Sequence, residues 1–187
     1  MSTVNEDLVE GKLLYMPQHG VVVDVADPLS RHRIKATIDG IVEETQWAYP
    51  TGGGGKARGA NICPPVGAHV VIIFLGGDVE RPVYLPGWWV DEELPEDLDG
   101  LSVDDAPLVQ VVETSRFKVT VDEREGKEQL VLQDKLTGDL IQMDGVNGGV
   151  QVKATTVLLL KADGHVAIEG TEVTINGRPV LSDGRAI

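Results

Sequence analysis

Cysteine is nearly absent from this chain. Cys63 is the only cysteine among 187 residues, so no intrachain disulfide can form, and the composition fits folding in a reducing cytosol. Cys63 lies in the stretch NICPPVG, between apolar neighbours and prolines. We therefore expect a small buried hydrophobic side chain there rather than an activated thiolate.

Basic residues are few compared with acidic ones. The chain has 16 Lys and Arg against 30 Asp and Glu, and its formal net charge is -14. The resulting field repels phosphate, which disfavours nucleic-acid binding through a broad basic face. The densest group of carboxylates falls in a solvated segment, where nothing would shift their pKa values toward acid–base catalysis. We expect a protein that is not an enzyme and does not bind nucleic acid.

Long uncharged runs are also missing. The first ten residues include Glu6, Asp7 and Glu10, and no uncharged run approaches the ~20 residues needed to cross a bilayer. We therefore expect neither a secretory leader nor a membrane-spanning segment. Aromatic residues make up only 4% of the chain, so an aromatic-rich core is not expected throughout.

The stretch from Gly20 to Val90 consists of short β-rich runs separated by Gly, Pro and Asp, such as HGVVVDVADP, RIKATIDG and AHVVIIFLGGD. This pattern predicts an all-β domain. A length of about seventy residues with about five strands suits a small closed barrel, of which the OB-fold is one form. We assign residues 1–18 to an N-terminal arm and residues 19–90 to this OB-fold domain.

A glycine-rich stretch inside that domain raises the question of phosphate binding. Residues 49–59 read YPTGGGGKARG, but Pro50 replaces the first glycine of a P-loop and Ala57 replaces its Ser or Thr. We expect a flexible loop between strands. Docking of a neighbouring protein against Gly52 to Gly55 is the weaker, functional alternative.

Residues 91–107, DEELPEDLDGLSVDDAP, contain eight acidic residues and no basic one. Like charges keep such a segment extended and solvated, so we assign residues 91–109 to an acidic linker. An acidic docking strip is the alternative.

The sequence beyond this segment repeats a short pattern. The order apolar, any, apolar, any, small recurs as IQMDG, VQVKA, LLLKA, VAIEG and VTING, and the unit starts are separated by 9, 8, 8 and 7 residues. FKVTV and LVLQD resemble irregular members of the series. Such a period indicates one strand and one turn per unit, stacked in a solenoid or fibre.

The geometry of these units predicts a trimer. Alternate residues of a strand share a face, so each unit has one apolar face that a lone strip of strands cannot bury. A unit of about eight residues covers one face only, and three chains per turn complete the prism. We therefore assign residues 110–187 to an intertwined trimeric β-helix with a short C-terminal tip. The predicted trimer core consists of Ile141, Met143, Val150, Val152, Leu158, Leu160, Val166, Ile168, Val173 and Ile175.

Residues 45–89, TQWAYPTGGGGKARGANICPPVGAHVVIIFLGGDVERPVYLPGWW, resemble a known family. They are similar to the OB domain shared by phage baseplate assembly protein V, the central spikes of contractile-tailed phages and the VgrG spikes of type VI secretion. The following repeat resembles the intertwined triple-stranded β-helix of such spikes. The positions that match the family pattern are Trp47, Gly59, Pro65, Gly67, Phe74, Gly77, Asp78, Pro82 and Gly87.

This resemblance implies an all-β fold, an N-terminal OB-fold barrel followed by an intertwined trimeric β-helix. It implies a structural central spike of a contractile phage tail baseplate, assembled in the bacterial host cytoplasm and located in the virion. The implied partners are two further copies of the chain, a tail hub protein above the OB domain and, transiently, the host outer membrane. The short C-terminus either folds into a minimal cap or leaves the point to a separate spike-tip protein.

The chain departs from the family pattern at its histidines. Some small spikes end in a His-x-His tip that binds iron, but the four histidines here, His19, His32, His69 and His165, form no such pair. We therefore expect no cofactor and no tip metal. Ala68 and His69 stand where an acidic residue is usual in the family, which is not expected to alter the fold. His165 is expected to point away from the apolar face of its strand.

Two alternatives remain. One is a spike of a type VI or extracellular contractile injection system, which the sequence separates poorly from a phage spike. The other is a soluble OB-type module that binds glycan or single-stranded nucleic acid through exposed aromatic side chains with basic neighbours. The favoured interpretation of these aromatic side chains is packing in the barrel and at its interface with a partner. The candidate aromatic residues are Trp47, Tyr49, Trp88 and Trp89, and their basic neighbours are Lys56 and Arg58.

Overall fold

The computed structural model describes residues 14–52, 54–56, 58–90 and 93–180, and the chain divides into two compact units, Met1–Leu94 and Pro95–Ile187. Most of the expected N-terminal arm and the end of the expected tip lie outside the described residues. The prediction of an all-β protein is confirmed. The helical segments in the described part are two short 3-10 turns at Leu75–Gly77 and Ala106–Leu108, and none is long and apolar enough to span a membrane.

The first unit is an OB-like curled sheet with one parallel and three antiparallel pairings. Its strands are β1 Gln18–Asp24, β2 Lys35–Thr37, β3 Tyr49–Pro50, β4 Gly54–Gly55, β5 Arg58–Gly59, β6 His69–Phe74 and β7 Pro82–Pro86. The main sheet has the order β2-β1-β6-β7-β3, and β4 pairs with β5 in a separate small hairpin. β3 lies at one edge of this sheet, where it pairs in parallel with β7.

The core of this unit follows the alternation seen in the sequence. In β6 the side chains of Val70, Ile72 and Phe74 are buried, and those of the residues between them are half-buried on the other face. Tyr84 from β7 is also buried, and its hydroxyl donates a hydrogen bond to the carbonyl oxygen of His32 at 3.1 Å. Burial raises the pKa of Tyr84 to about 12. The whole core comprises Leu14, Val22, Ile34, Ala36, Ile38, Ala48, Val70, Ile72, Phe74 and Tyr84.

The second unit contains a five-stranded antiparallel meander in which each strand pairs with the next along the chain. Its strands are β8 Val109–Glu113, β9 Phe117–Asp122, β10 Gln129–Asp134, β11 Leu140–Asp144 and β12 Gly149–Lys153, and a short hairpin follows, β13 Thr174–Ile175 with β14 Arg178–Pro179.

Three corners of the meander share the sequence Asp-x-x-x-Gly. In each, the Asp carboxylate accepts a hydrogen bond from the backbone N–H two residues later, at 2.9 to 3.1 Å. The glycine four residues after the Asp has a positive φ of 69 to 75°, which a residue with a side chain rarely adopts. This local chemistry closes each hairpin. The pairs are Asp122 with Gly126, Asp134 with Gly138, and Asp144 with Gly148.

The acidic segment differs from the extended linker that its charge predicts. The backbone N–H of Leu98 donates to the carbonyl oxygen of Pro95 at 2.8 Å, which forms a turn. The Asp97 carboxylate then contacts Lys118 Nζ at 2.6 Å and the Thr120 hydroxyl at 3.4 Å, both in β9. Because these side chains neutralise and bind the carboxylate, the described segment from Pro95 onward folds against its own unit.

The expected β-helix is not evident in the single chain. IQMDG and VQVKA lie in β11 and β12, which pair antiparallel with each other, and VTING begins the β13–β14 hairpin. Residues 158–162 and 166–170, LLLKA and VAIEG, form no strand ladder within the described residues. An intertwined helix needs strands from other copies to complete its ladders, so this part of the expectation stays a prediction.

Candidate functional site

One face of the meander is formed by apolar side chains on all five strands. The register aligns Val121, Leu130, Met143 and Val150 in one row across four strands. A second row crosses all five strands. We call this surface the open face, and its residues are Val112, Val119, Val121, Leu130, Leu132, Ile141, Met143, Val150 and Val152.

The described part of the chain leaves the open face uncovered. Val119 and Val121 in β9 are half-buried, and the exposed fractions of the other side chains of this face range from 37% at Leu130 to 69% at Val150 in the edge strand β12. Completing the burial of such a half-exposed side chain is worth about 1 kcal/mol or more. Contiguous apolar surfaces of this kind mark interaction sites on soluble proteins. The open face is therefore the candidate functional site of the second unit.

The opposite face of the same sheet is polar and partly covered. Asp122 is only 4% exposed, and Arg124 binds it through Nε at 2.9 Å and Nη2 at 2.6 Å. These hydrogen bonds hold the pKa of the Asp122 carboxyl below its ordinary value. Thr120 beside it is buried next to Asp97. The second unit thus pairs the buried polar groups of this face with its own side chains, and no residue among those that the structure describes covers the apolar face.

Two ion pairs lie at one end of the strands. The pair of Arg116 with Asp134 lies beside the open face, whereas alternation in β8 places Glu113, the partner of Lys135, on the opposite face. Arg116 binds Asp134 through Nε at 2.9 Å and Nη2 at 2.7 Å, and its guanidinium lies 5.4 Å from the centre of the Phe117 ring. The hydrogen bond from Arg116 lowers the pKa of Asp134. Lys135 pairs with Glu113 at 2.5 Å. An apolar centre with a charged rim is the usual anatomy of a protein interface.

The residues predicted to form a trimer core divide into two groups. Ile141, Met143, Val150 and Val152 belong to the open face. The others follow in residues 158–175, where most of their side chains are exposed and Val173 is half-buried. This second group consists of Leu158, Leu160, Val166, Ile168, Val173 and Ile175.

The first strands of the open face were not in the predicted core. Val119, Val121, Leu130 and Leu132 were missed because FKVTV and LVLQD fit the eight-residue pattern poorly. The signal was present in FKVTV as strict alternation of apolar residues, whereas in LVLQD the apolar Val131 interrupts the alternation.

In the first unit, two of the four aromatic residues suggested for ligand binding, Trp47 and Tyr49, are in contact with cations of the same chain, whereas Trp88 and Trp89 are about half exposed. The Arg33 guanidinium lies 5.6 Å from the centre of the Trp47 ring and 5.3 Å from that of Tyr49, and Lys35 Nζ lies 5.3 Å from that of Trp47. The Arg31 guanidinium also donates a hydrogen bond to the Tyr49 hydroxyl at 3.2 Å. These contacts occupy ring faces that a base or sugar would need.

The cations in this cluster are themselves paired. Asp27 accepts hydrogen bonds from Arg33 Nε at 3.1 Å and Nη2 at 2.5 Å, and these hold the pKa of Asp27 well below its ordinary value. Lys35 pairs with Glu44 at 2.5 Å. The cluster therefore offers little free positive charge to a phosphate.

The glycine-rich stretch forms a hairpin. Gly54–Gly55 pairs antiparallel with Arg58–Gly59, and Lys56 between them has a φ of 47°. A phosphate-binding loop leads into a helix whose N–H groups bind the anion, whereas this stretch leads into a strand. The arrangement favours a connection between strands.

The remaining positions of the OB pattern have structural roles. Gly67, with a φ of 91°, and Pro65 form the turn before β6, and Phe74 is a buried residue at its end. Gly77 is buried with a φ of 79°, and the Asp78 carboxylate accepts the N–H of Glu80 at 3.0 Å.

Two further pattern positions, Pro82 and Gly87, lie in or just after β7. Pro82 is buried, and the chain at Gly87 passes so close to His69 that no side chain would fit. Cys63 packs against the core with its Sγ 3.8 Å from the Pro64 carbonyl oxygen, and burial raises the pKa of its thiol. A raised pKa keeps the thiol protonated and unreactive.

Comparison with known proteins gives one family. Residues 18–89 match the family model of the type VI secretion system/phage-baseplate injector OB domain, which supports an OB domain of that family in the first unit. The match covers about two fifths of the chain and ends before the meander. No curated protein matches the chain.

Proposed function

We propose that three copies of this chain form the central spike of a contractile phage tail baseplate. The injector OB domain at residues 18–89 supports a role in such a baseplate and association with other tail proteins. The open face of the meander is the observation on which the trimer rests. In this proposal the OB domain attaches to the tail hub, and the second unit forms a needle.

The open face fits further copies of the same chain as its occupant. Three meanders around one axis would turn their apolar faces inward and their polar faces, with Asp122 and its neighbours, toward water. The same closure would cover the free edges of the sheet, β8 and β12, which are otherwise templates for uncontrolled pairing. Cyclic symmetry closes such an assembly without further growth. The high negative charge of each chain opposes association, so the apolar face must supply the driving force.

Residues 154–180 extend the same argument toward the tip. Leu158 and Leu160, and likewise Val166 and Ile168, alternate as residues on one face of a strand, and all four are exposed in the single chain. Strands from the two other copies would pair with these segments and bury the apolar side chains on the axis. A closed prism of paired strands resists bending, because every backbone hydrogen-bonding group inside it has a partner.

The proposed mechanism is mechanical. Sheath contraction drives the rigid needle through the outer envelope of the host, and no catalytic residue or cofactor takes part. The spike is assembled in the host cytoplasm and located in the tail baseplate of the virion, and its point is either a minimal cap of this chain or a separate protein. A spike of a type VI or extracellular injection system is the second candidate, because the matching family includes type VI secretion as well as phage baseplates.

Replacement of Ile168 by Asp tests the needle. The substitution would place three carboxylates together on the trimer axis, where neither water nor a counter-charge can stabilise them. We expect loss of the trimer, measured as absolute mass by light scattering, and loss of infectivity in a phage that carries the variant.

Ala167→Asp is the matched control, since alternation places residue 167 on the opposite face of the strand. This variant should remain trimeric and infectious. An Ile168→Asp protein that stayed trimeric and infectious would contradict the proposed needle.

A further inference from the structure

Two histidines lie side by side on the outer face of the OB sheet. His19 is in β1 and His69 begins β6, and the register places His19 opposite Val71 and Val21 opposite His69. The histidines are therefore diagonal neighbours on one face, within reach of each other. His19 Nε2 lies 2.6 Å from His69 Nδ1.

The rings meet end to end through these nitrogens. Their centroids are 4.9 Å apart and their planes differ by 13°. The centroid separation equals the nitrogen–nitrogen distance plus one ring radius on each side, so the two nitrogens face each other in nearly one plane. At this distance one ring donates its N–H and the other accepts the hydrogen bond through the lone pair of its nitrogen.

Trp88 lies against the pair because of Gly87. A Cβ on Gly87 would be 2.1 Å from the carbonyl oxygen of His69, so only glycine allows this approach of the two strands. The Trp88 ring then lies with its centroid 5.1 Å from that of His19 and 6.1 Å from that of His69. Trp88 is 51% exposed and His19 is exposed, so the group is open to ions from solvent.

We propose that His19 and His69 form a binding site for a divalent transition-metal ion such as Zn²⁺ or Ni²⁺. Imidazole nitrogens are favoured ligands of these ions. On metal binding, the ring that donates the hydrogen bond shifts that proton through solvent to its other nitrogen. Each neutral ring then contributes one lone pair, His19 through Nε2 and His69 through Nδ1. Metal–nitrogen bonds of about 2.0 to 2.1 Å require the nitrogens to move apart by less than about 1 Å, which rotation of the exposed His19 side chain provides.

Solvent supplies the remaining ligands, because the site is open on the side of His19. The formal charge of -14 also raises the local concentration of divalent cations around the protein. This site lies in the first unit and does not depend on the trimer or on the spike role.

Ni²⁺ titration of the full chain tests the site through tryptophan fluorescence, since bound Ni²⁺ quenches an indole at this distance. We expect saturable quenching in the unmodified protein and its loss in His19→Gln and in His69→Gln. His165→Gln is the matched control, because His165 is an exposed histidine of the second unit, and it should retain the quenching.

Zn²⁺ binding measured by calorimetry tests the ligands His19 and His69 without relying on the fluorescence of Trp88. Either substitution in the pair should lower the apparent affinity more than about tenfold, because one imidazole cannot chelate. Trp88→Phe should abolish most of the quenching while Zn²⁺ binding persists. The proposal is overturned if the unmodified chain shows neither saturable quenching nor Zn²⁺ binding. It is also overturned if both persist in the His19 and His69 variants, or fall equally in His165→Gln.

Discussion

The two units use apolar β-strands in opposite ways. In the OB sheet, Val22, Val70 and Ile72 are at most 1% exposed, because the curled sheet closes over its own inner face. In the meander, Leu132, Ile141 and Val150 stand on an equally regular apolar face but are 41 to 69% exposed. A sheet needs a second layer to bury its face, and only the first unit supplies that layer from its own chain.

Because of this difference, similar apolar residues in the two units stabilise different things. A buried residue of the OB core stabilises the fold of one chain, whereas a residue of the open face contributes mainly when another molecule covers it. Substitutions on the two surfaces should therefore differ in whether their effect depends on assembly.

The largest effect is expected from Val150→Asp. Val150 is 69% exposed in the single chain, so a carboxylate there costs little until another copy covers the face. In the assembled protein the charge would be buried without a partner, and we expect loss of the trimer while each chain keeps its fold. Light scattering and circular dichroism would measure these two properties separately.

Gln151→Asp provides the control for this prediction. Gln151 is the next residue in β12 and belongs to the polar face, where it is exposed. The Gln151→Asp variant should therefore still form the trimer. If both variants assembled normally, the open face would not be the interface between copies.

The second effect concerns the OB core. Ile72→Ala removes a completely buried side chain, and the resulting cavity should lower the free energy of unfolding of the first unit by about 2 to 5 kcal/mol. The loss should be independent of protein concentration, because no other copy is involved in burying Ile72. Denaturant unfolding at several protein concentrations would measure it. A midpoint shift that grew on dilution would instead place this core at an interface.

The smallest effect concerns acid stability of the first unit. The pKa of Asp27 is held below its ordinary value of 3.8 by hydrogen bonds from Arg33. This contribution to stability is fully present above the ordinary pKa and is lost as the pH falls through the lower pKa of the folded protein. Asp27→Asn should therefore reduce stability at neutral pH and flatten the decline below about pH 4. Thermal unfolding of both proteins from pH 7 downward would measure this difference. If Asp27 were not linked to folding, the unfolding temperatures of the two proteins would decline in parallel.

The sequence predicted most of the first unit because its signals are local. The continuous apolar run in HVVIIF and the turn residues around it identify β6, and the family pattern matches the same region. In the second unit the prediction relied on the eight-residue period of residues 141–177. It therefore missed the antiparallel hairpins that β8, β9 and β10 form before that region. Their signal was the corner Asp-x-x-x-Gly, seen from Asp122 to Gly126 and twice again, which fixes antiparallel neighbours within one chain.

The contacts of the candidate sites were harder to predict. His19 and His69 are 50 residues apart, and only the register of β1 with β6 brings them together. Asp97 falls in a run of acidic residues that looks solvated, and its partners Lys118 and Thr120 become visible only when β9 is placed beside it. Pairings of this kind depend on the fold and not on spacing in the sequence.

The most direct test of the central claim is the absolute mass of the unmodified chain in solution, measured by light scattering and by electrophoresis in detergent without boiling. The account predicts a mass three times 20.1 kDa that persists in the detergent. A mass of 20.1 kDa at all concentrations would contradict it, because the open face would then remain uncovered in the free protein.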